Sequence, residues 1–233
     1  MRKLIIASTS TTYGSGYLEY LLPTLTSFFE GVATLLFIPY ARPGGISYDA
    51  YTKIAAKAFA TINIKVQGIH EFENPIKALQ EAQAIFTGGG NTFELLNQLY
   101  QHDLITELKS VLENGTPYLG TSAGSNICGV SIRNTNDMPV VYPPSFKALE
   151  TIAFNINAHY LDPVKGSTHM GETRETRIQE FHVYNDTPVL GLREGSWLEV
   201  MDQKITLKGA LQARLFQKNQ LPLELASGSE IAL

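Results

Sequence analysis

Through its first half the chain alternates short apolar runs with longer stretches in which apolar residues return every three or four positions. The short runs, residues 3–8, 33–39, 62–69, 84–87 and 117–120, read as buried strands. The stretches between them, residues 16–29, 48–61, 74–83, 92–100 and 103–113, read as amphipathic helices. Strands separated by helices mark a parallel sheet with crossover connections, so the pattern predicts a doubly wound α/β fold, a mostly parallel sheet with helices on both faces. Beyond Ala123 the regularity breaks. Residues 134–144 combine Asn and Asp with Pro139, Pro143 and Pro144, which predicts an ordered loop. Residues 154–158 alternate as a short strand, 173–184 read as a helix and 189–192 as a strand. Residues 197–201 and 204–207 form a predicted hairpin around Asp202 and Gln203.

A chain of 233 residues suits a single α/β domain, 1–233, and is too short for two comfortable cores. Hydrophobic residues at 44% can fill a core of ordinary size, and a formal charge of −4 without clustered Lys and Arg argues against a nucleic-acid partner. A small-molecule partner fits better. The single cysteine, Cys128, can make neither an intramolecular disulfide nor a multi-thiolate metal site, which suits a reducing compartment, and it reads as a small buried hydrophobe. After the basic Met1-Arg2-Lys3, the apolar residues 4–7 are too few for a signal peptide or a membrane span, so a cytoplasmic protein with no membrane partner is expected.

Candidate chemistry concentrates at two glycine-rich turns. Gly120-Thr121-Ser122-Ala123-Gly124 follows an apolar strand and has the G-x-S-x-G spacing of a nucleophile elbow. Small residues there relieve a sharp turn and leave the Ser122 hydroxyl exposed above the sheet, and the Ala123 N–H at the start of the next helix can face a developing oxyanion. One strand–helix unit upstream, Gly88-Gly89-Gly90-Asn91 lets backbone approach a ligand, with the Gly90 amide as a second oxyanion donor. A phosphate cradle is disfavoured, because no Gly-Lys-Ser or Gly-Lys-Thr follows and the G-x-G-x-x-G spacing is absent.

Serine needs a base, and histidine has a suitable intrinsic pKa. His70, His102 and His182 read as surface residues. His159, at the end of the 154–158 strand, and His169, in the 166–171 loop, remain, with His159 favoured by its place at a strand end. The carboxylate that fixes the imidazole is either Asp137, in the polar loop after the elbow, or Glu194, just after the 189–192 strand.

Several blocks taken together resemble the peptidase E family of α-aspartyl dipeptidases. They are residues 86–93, 120–124, 132–139, 156–159, 171–178 and 191–195, in the family's order and covering most of the chain. The resemblance implies a class I glutamine amidotransferase-like (flavodoxin-like) fold, with serine in place of that fold's cysteine. It also implies hydrolysis of dipeptides with an N-terminal aspartate, without metal or other cofactor. By motif, Ser122 becomes the nucleophile and His159 its base. Glu194 takes the third role, Asp137 stays as the alternative, and Gly90 and Ala123 line the oxyanion hole. Arg174 matches the arginine that grips the substrate's side-chain carboxylate, a task suited to a bidentate guanidinium, although Glu172, Arg174, Glu175 and Arg177 could also be helix-surface charges that pair among themselves. Glu172 or Asn91 would receive the substrate's amino group. The chain departs from common family residues at Thr121, where some members carry a bulky aromatic, and at Ala158, where proline is frequent. Two rival readings are a cyanophycinase-like β-aspartyl peptidase and a non-catalytic small-molecule-binding relative. Either a monomer or a homodimer is compatible with the sequence.

Overall fold

Five apolar segments pair side by side in parallel: β1 (Lys3–Ala7), β2 (Thr34–Ile38), β3 (Lys65–Gly68), β4 (Ile85–Thr87) and β5 (Tyr118–Thr121). The computed structural model describes residues 1–163, 166, 168 and 170–232. Between the strands lie α1 (Leu22–Phe28), α2 (Tyr48–Ala60), α3 (Pro75–Gln80), α4 (Thr92–Gln101) and α5 (Leu104–Glu113). A hairpin, β8 (Ser196–Met201) and β9 (Lys204–Gly209), extends this sheet antiparallel beyond β1, giving the order β3-β2-β4-β5-β1-β8-β9.

Alternation along the strands divides the core between two faces. Ile5, Ala7, Leu35, Phe37 and Phe86 pack with Leu25 and Phe28 of α1 and Tyr51, Ala55 and Phe59 of α2. Their neighbours Leu4, Ile6, Leu36, Ile38 and Ile85 pack on the other face with Leu79 of α3, Leu95 and Leu99 of α4 and Leu108 of α5. The helix after β2 and the helix after β4 therefore cover opposite faces, as do α1 after β1 and α6 (Ala123–Asn126) after β5. Adjacent strands whose connections part in this way leave crevices at their carboxyl ends, where ligands of open α/β sheets bind.

The second half departs from the expectation of one sheet. β6 (Asn155–Ala158), β7 (Val189–Leu192), β10 (Ala213–Phe216) and β11 (Leu223–Leu225) form a separate four-stranded sheet in the order β11-β10-β7-β6. Its Ile156, Leu190, Leu192, Ala213 and Leu215 join the same apolar cluster as Leu198 and Val200 of the large sheet. α7 (Arg174–Tyr184) connects β6 to β7 and is capped by Thr173, whose side chain accepts the Thr176 N–H.

Two boundaries also move. α1 begins at Leu22 rather than residue 16, because Leu18 has φ 59° and Pro23 belongs in a first helical turn. β3 begins at Lys65 rather than residue 62, because Asn63 turns the chain at φ 62°. Residues 134–144 contain no helix or strand, as expected. The loop is tied down by Asn134 Nδ2 donating to Ile156 O at 3.0 Å and Asn136 Nδ2 to Ala158 O at 2.9 Å.

Candidate active site

The site is built where β5 runs out. The backbone of Ser122 has φ 53° and ψ −110°, outside the regions non-glycine residues favour, and its N–H donates to Ala7 O of β1 at 3.1 Å. The turn closes tightly enough that a Cβ on Gly124 would stand 2.2 Å from Thr87 O, so only glycine fits there. Ser125 adds a second tie, its buried hydroxyl lying 2.6 Å from Ala7 O.

His159 follows β6 in a left-handed conformation, φ 54°. Its N–H donates to Ser8 Oγ at 2.9 Å, and Ser8 Oγ donates to Leu192 O at 2.7 Å. Ser8, at the carboxyl end of β1, thus joins the two sheets at the His159 backbone. Sequence reasoning missed it, since its partners are remote along the chain. The imidazole bridges two side chains: Nε2 is 2.7 Å from Ser122 Oγ and Nδ1 is 2.7 Å from Glu194 Oε1. A carboxylate at Nδ1 keeps a proton there, which leaves Nε2 free to accept the Ser122 O–H. The pair is open to water, with His159 37% and Glu194 49% exposed.

Asp137 is engaged elsewhere. Its Oδ2 accepts the Thr92 N–H at 2.7 Å and the Thr92 hydroxyl, at the positive end of α4. Asn91 has both ends of its amide in use: Oδ1 caps α4 by accepting the Glu94 N–H at 3.0 Å, and Nδ2 donates to Met138 O at 2.8 Å. Asn126, a buried polar residue that sequence reasoning also passed over, donates to Thr92 Oγ1 at 3.0 Å and so ties the elbow to this network.

At the glycine turn, Gly90 has φ 148°, and a Cβ there would stand 2.2 Å from Ala41 O. That carbonyl accepts the Asn91 N–H at 2.7 Å. Among the described residues neither the Gly90 nor the Ala123 N–H has a protein acceptor. Both amides belong to residues next to the elbow contact, Ala123 following Ser122 and Gly90 following Gly89, whose added Cβ would stand 3.0 Å from Ser122 Cβ.

Arg174 opens α7. Burial pulls its guanidinium below the ordinary value, Arg177 acts in the same direction, and the Asp137 carboxylate opposes them. No carboxylate among the described residues pairs with it. Glu172 is exposed and lies 4.0 Å from Arg177, and Glu175 pairs with Arg214 at 3.1 Å.

Among the other histidines, His182 departs from the surface reading. It is buried on the inner side of α7, with Nε2 3.1 Å from Thr187 O. His70 faces Asp49 at 2.8 Å and His102 stacks on Tyr40. His169 lies outside the described residues. No group of three or more His, Cys, Asp or Glu among the described residues converges as a metal-ligand set. None of the described helices is long and apolar enough to cross a membrane.

Against known proteins, residues 4–208 match the model of Peptidase family S51. The chain is 49% identical over 229 residues to a peptidase E of Streptomyces coelicolor, covering 98% of this chain and 93% of that one. It is 47% identical over 228 residues to a probable alpha-aspartyl dipeptidase of Drosophila melanogaster, covering 97% and 94%. The fold matches the crystal structure of a peptidase from an acI-B1 Actinobacterium with a TM-score of 0.75 at 15% identity, over 100% of this chain and 97% of that one.

Proposed function

Because the chain belongs to Peptidase family S51, we propose that it is a serine dipeptidase that hydrolyses Asp-Xaa dipeptides through an acyl-enzyme on Ser122. The observation that carries this reading is the unbroken series Ser122 Oγ, His159, Glu194, with both contacts at 2.7 Å, on a strained elbow beside two unengaged amides. The names of its relatives, peptidase E and alpha-aspartyl dipeptidase, point to the same substrate class.

In this mechanism Arg174 holds the side-chain carboxylate of the N-terminal aspartate through charge-assisted hydrogen bonds. His159 Nε2 takes the Ser122 proton as Oγ attacks the scissile carbonyl carbon. The carbonyl oxygen becomes an oxyanion between the Gly90 and Ala123 amides. Collapse of this intermediate breaks the C–N bond, and imidazolium Nε2–H delivers its proton to the departing amine. Water then gives a proton to Nε2 and attacks the aspartyl ester, and return of that proton to Oγ frees aspartate and Ser122. Glu194 stabilises the imidazolium and keeps its ring in place. Glu172, exposed near the start of α7, is the better receiver of the substrate's ammonium group, because the Asn91 amide is already spent on capping α4.

The substrate is a small peptide, with neither nucleic acid nor membrane as partner, and the working location is the cytoplasm, as monomer or homodimer. Incubation with Asp-Leu, Leu-Leu and β-Asp-Arg, with free amino acids quantified, tests the assignment. Rapid release of aspartate from Asp-Leu alone is expected. Preferential cleavage of β-Asp-Arg would move the chain to the cyanophycinase-like reading, and cleavage of none would favour a binding role.

A further inference from the structure

Of the seven arginines, five are engaged within the protein. Arg193 and Arg214 meet carboxylates, and Arg177 lies at 4.0 Å from Glu172. Arg2 donates to Thr151 O and Gln203 Oε1, and Arg133 to Asn185 Oδ1. Among the described residues, Arg42 and Arg174 alone have neither a carboxylate nor a hydrogen-bond acceptor at the guanidinium. Arg174 already has a task in the proposed reaction. Arg42 does not.

Arg42 stands just past the carboxyl end of β2, and Pro43 after it restricts its backbone to extended conformations. Its guanidinium carbon lies 4.9 Å from the centroid of the buried Tyr51 ring. Its Nε is buried and unpartnered, so the terminal nitrogens are the donors left to meet a ligand. Stacking on an aromatic face orients a guanidinium without consuming its in-plane donors. The path to the nucleophile is short. Tyr51 OH donates to Gly89 O at 3.1 Å, and a Cβ on Gly89 would stand 3.0 Å from Ser122 Cβ. The residue before Arg42, Ala41, is the one packed against Gly90. Arg42 therefore borders the crevice between β2 and β4, whose following helices cover opposite faces of the sheet. It shares the α1–α2 face with Tyr51, whereas Arg174 is coupled to Asp137 at the start of α4 on the other.

We propose that Arg42 is a specificity-determining residue that receives the free C-terminal carboxylate of the dipeptide. The inference rests on reading the chain as an Asp-Xaa dipeptidase. Such a substrate carries two carboxylates, one on each side of the scissile bond and each about 4 Å from the reacting carbonyl carbon by standard bond geometry. Two guanidiniums are unengaged, Arg42 past the end of β2 and Arg174 at the start of α7. In a longer peptide a neutral amide replaces the terminal carboxylate, leaving Arg42, whose Nε is already buried without a partner, unpaired, which disfavours anything beyond two residues.

The test compares Asp-Leu with Asp-Leu-amide on the wild type, Arg42→Gln and Arg42→Lys. The wild type should prefer the acid by roughly ten- to a hundredfold in kcat/KM, the range of a charge-assisted hydrogen bond. Arg42→Gln should bring that preference close to one, mainly through KM, and Arg42→Lys should restore part of it. An unchanged preference in Arg42→Gln, or an equal loss toward both substrates, overturns the proposal. Calorimetric binding of Asp-Leu to Ser122→Ala, with and without Arg42→Gln, separates this claim from the catalytic one. A wild type that fails to cleave Asp-Leu defeats the dipeptidase reading. Equal Asp-Leu affinity in the two Ser122→Ala proteins defeats the carboxylate site.

Discussion

Ser122 occupies a backbone conformation that costs of order 1–3 kcal/mol for a residue with a Cβ, and Ala7 O and the close-packed Gly124 hold it there. That strain aims Oγ at His159 Nε2. The two candidate carboxylates, Glu194 and Asp137, have different surroundings, and their amides should separate them. Glu194→Gln should lower kcat for Asp-Leu by roughly a hundredfold or more, because the Nδ1 partner loses its charge. Asp137→Asn should cost about 1 kcal/mol in urea unfolding, through a weakened α4 terminus, and change kcat less than about tenfold. The reverse ranking in steady-state kinetics would make Asp137 the catalytic acid. Residues with local requirements are legible in sequence: Ser122 sits among small residues at fixed offsets, and His159 ends an alternating strand. Ser8 and Asn126 are not, because what defines them is a partner remote along the chain, 151 residues away for the Ser8–His159 hydrogen bond; Arg42 is not, because what defines it is a guanidinium the fold leaves without an acceptor.

The small sheet brings the proposed base and its carboxylate together: His159 follows β6, Glu194 follows β7, and these strands pair in parallel. Arg193 fastens the arrangement from behind. It meets Asp162 at 2.7 Å and Glu224 at 2.9 Å, donates to Gln212 O at 2.8 Å and is only 15% exposed, so it links the loop after His159 to β11. Hydrogen bonding to Arg193 pulls the Asp162 carboxyl below its ordinary value. A carboxylate depressed in the folded state stabilises above its unfolded pKa, and the contribution is lost as pH falls through the folded value. Arg193→Met should therefore lower stability by about 1 kcal/mol near pH 7, since both partner carboxylates are more than a third exposed and solvent screens the pairs. The difference from wild type should shrink below about pH 4 as the carboxylates protonate. Urea midpoints across pH check this, and a difference independent of pH contradicts it. The first five strands are legible because each is a self-contained apolar run between helical repeats. β10 and β11 escape notice because each interrupts its apolar residues with a charge, Arg214 and Glu224; β10 is covered by pairing with β7, and β11 is a mostly exposed edge strand against β10.

At the scale of the whole molecule, one apolar cluster runs from α3, α4 and α5 through the large sheet to the small one, with Cys128 inside it. Burial pushes the Cys128 thiol up to about 12. A free thiol in an unfolded chain ionises near about 8.5, so the folded form should resist a disulfide reagent at pH 8. Labelling during urea unfolding should follow the loss of both sheets in a single transition; labelling that precedes the fluorescence change of Trp197 would mean that the sheets unfold separately. All these elements converge on the Ser122 hydroxyl, and its removal is the most direct test of what the fold is for. Asp-Leu hydrolysis by Ser122→Ala, with circular dichroism and unfolding midpoint verified against wild type, should fall by at least about ten-thousandfold. A folded Ser122→Ala protein that cleaves Asp-Leu at the wild-type rate would contradict the account.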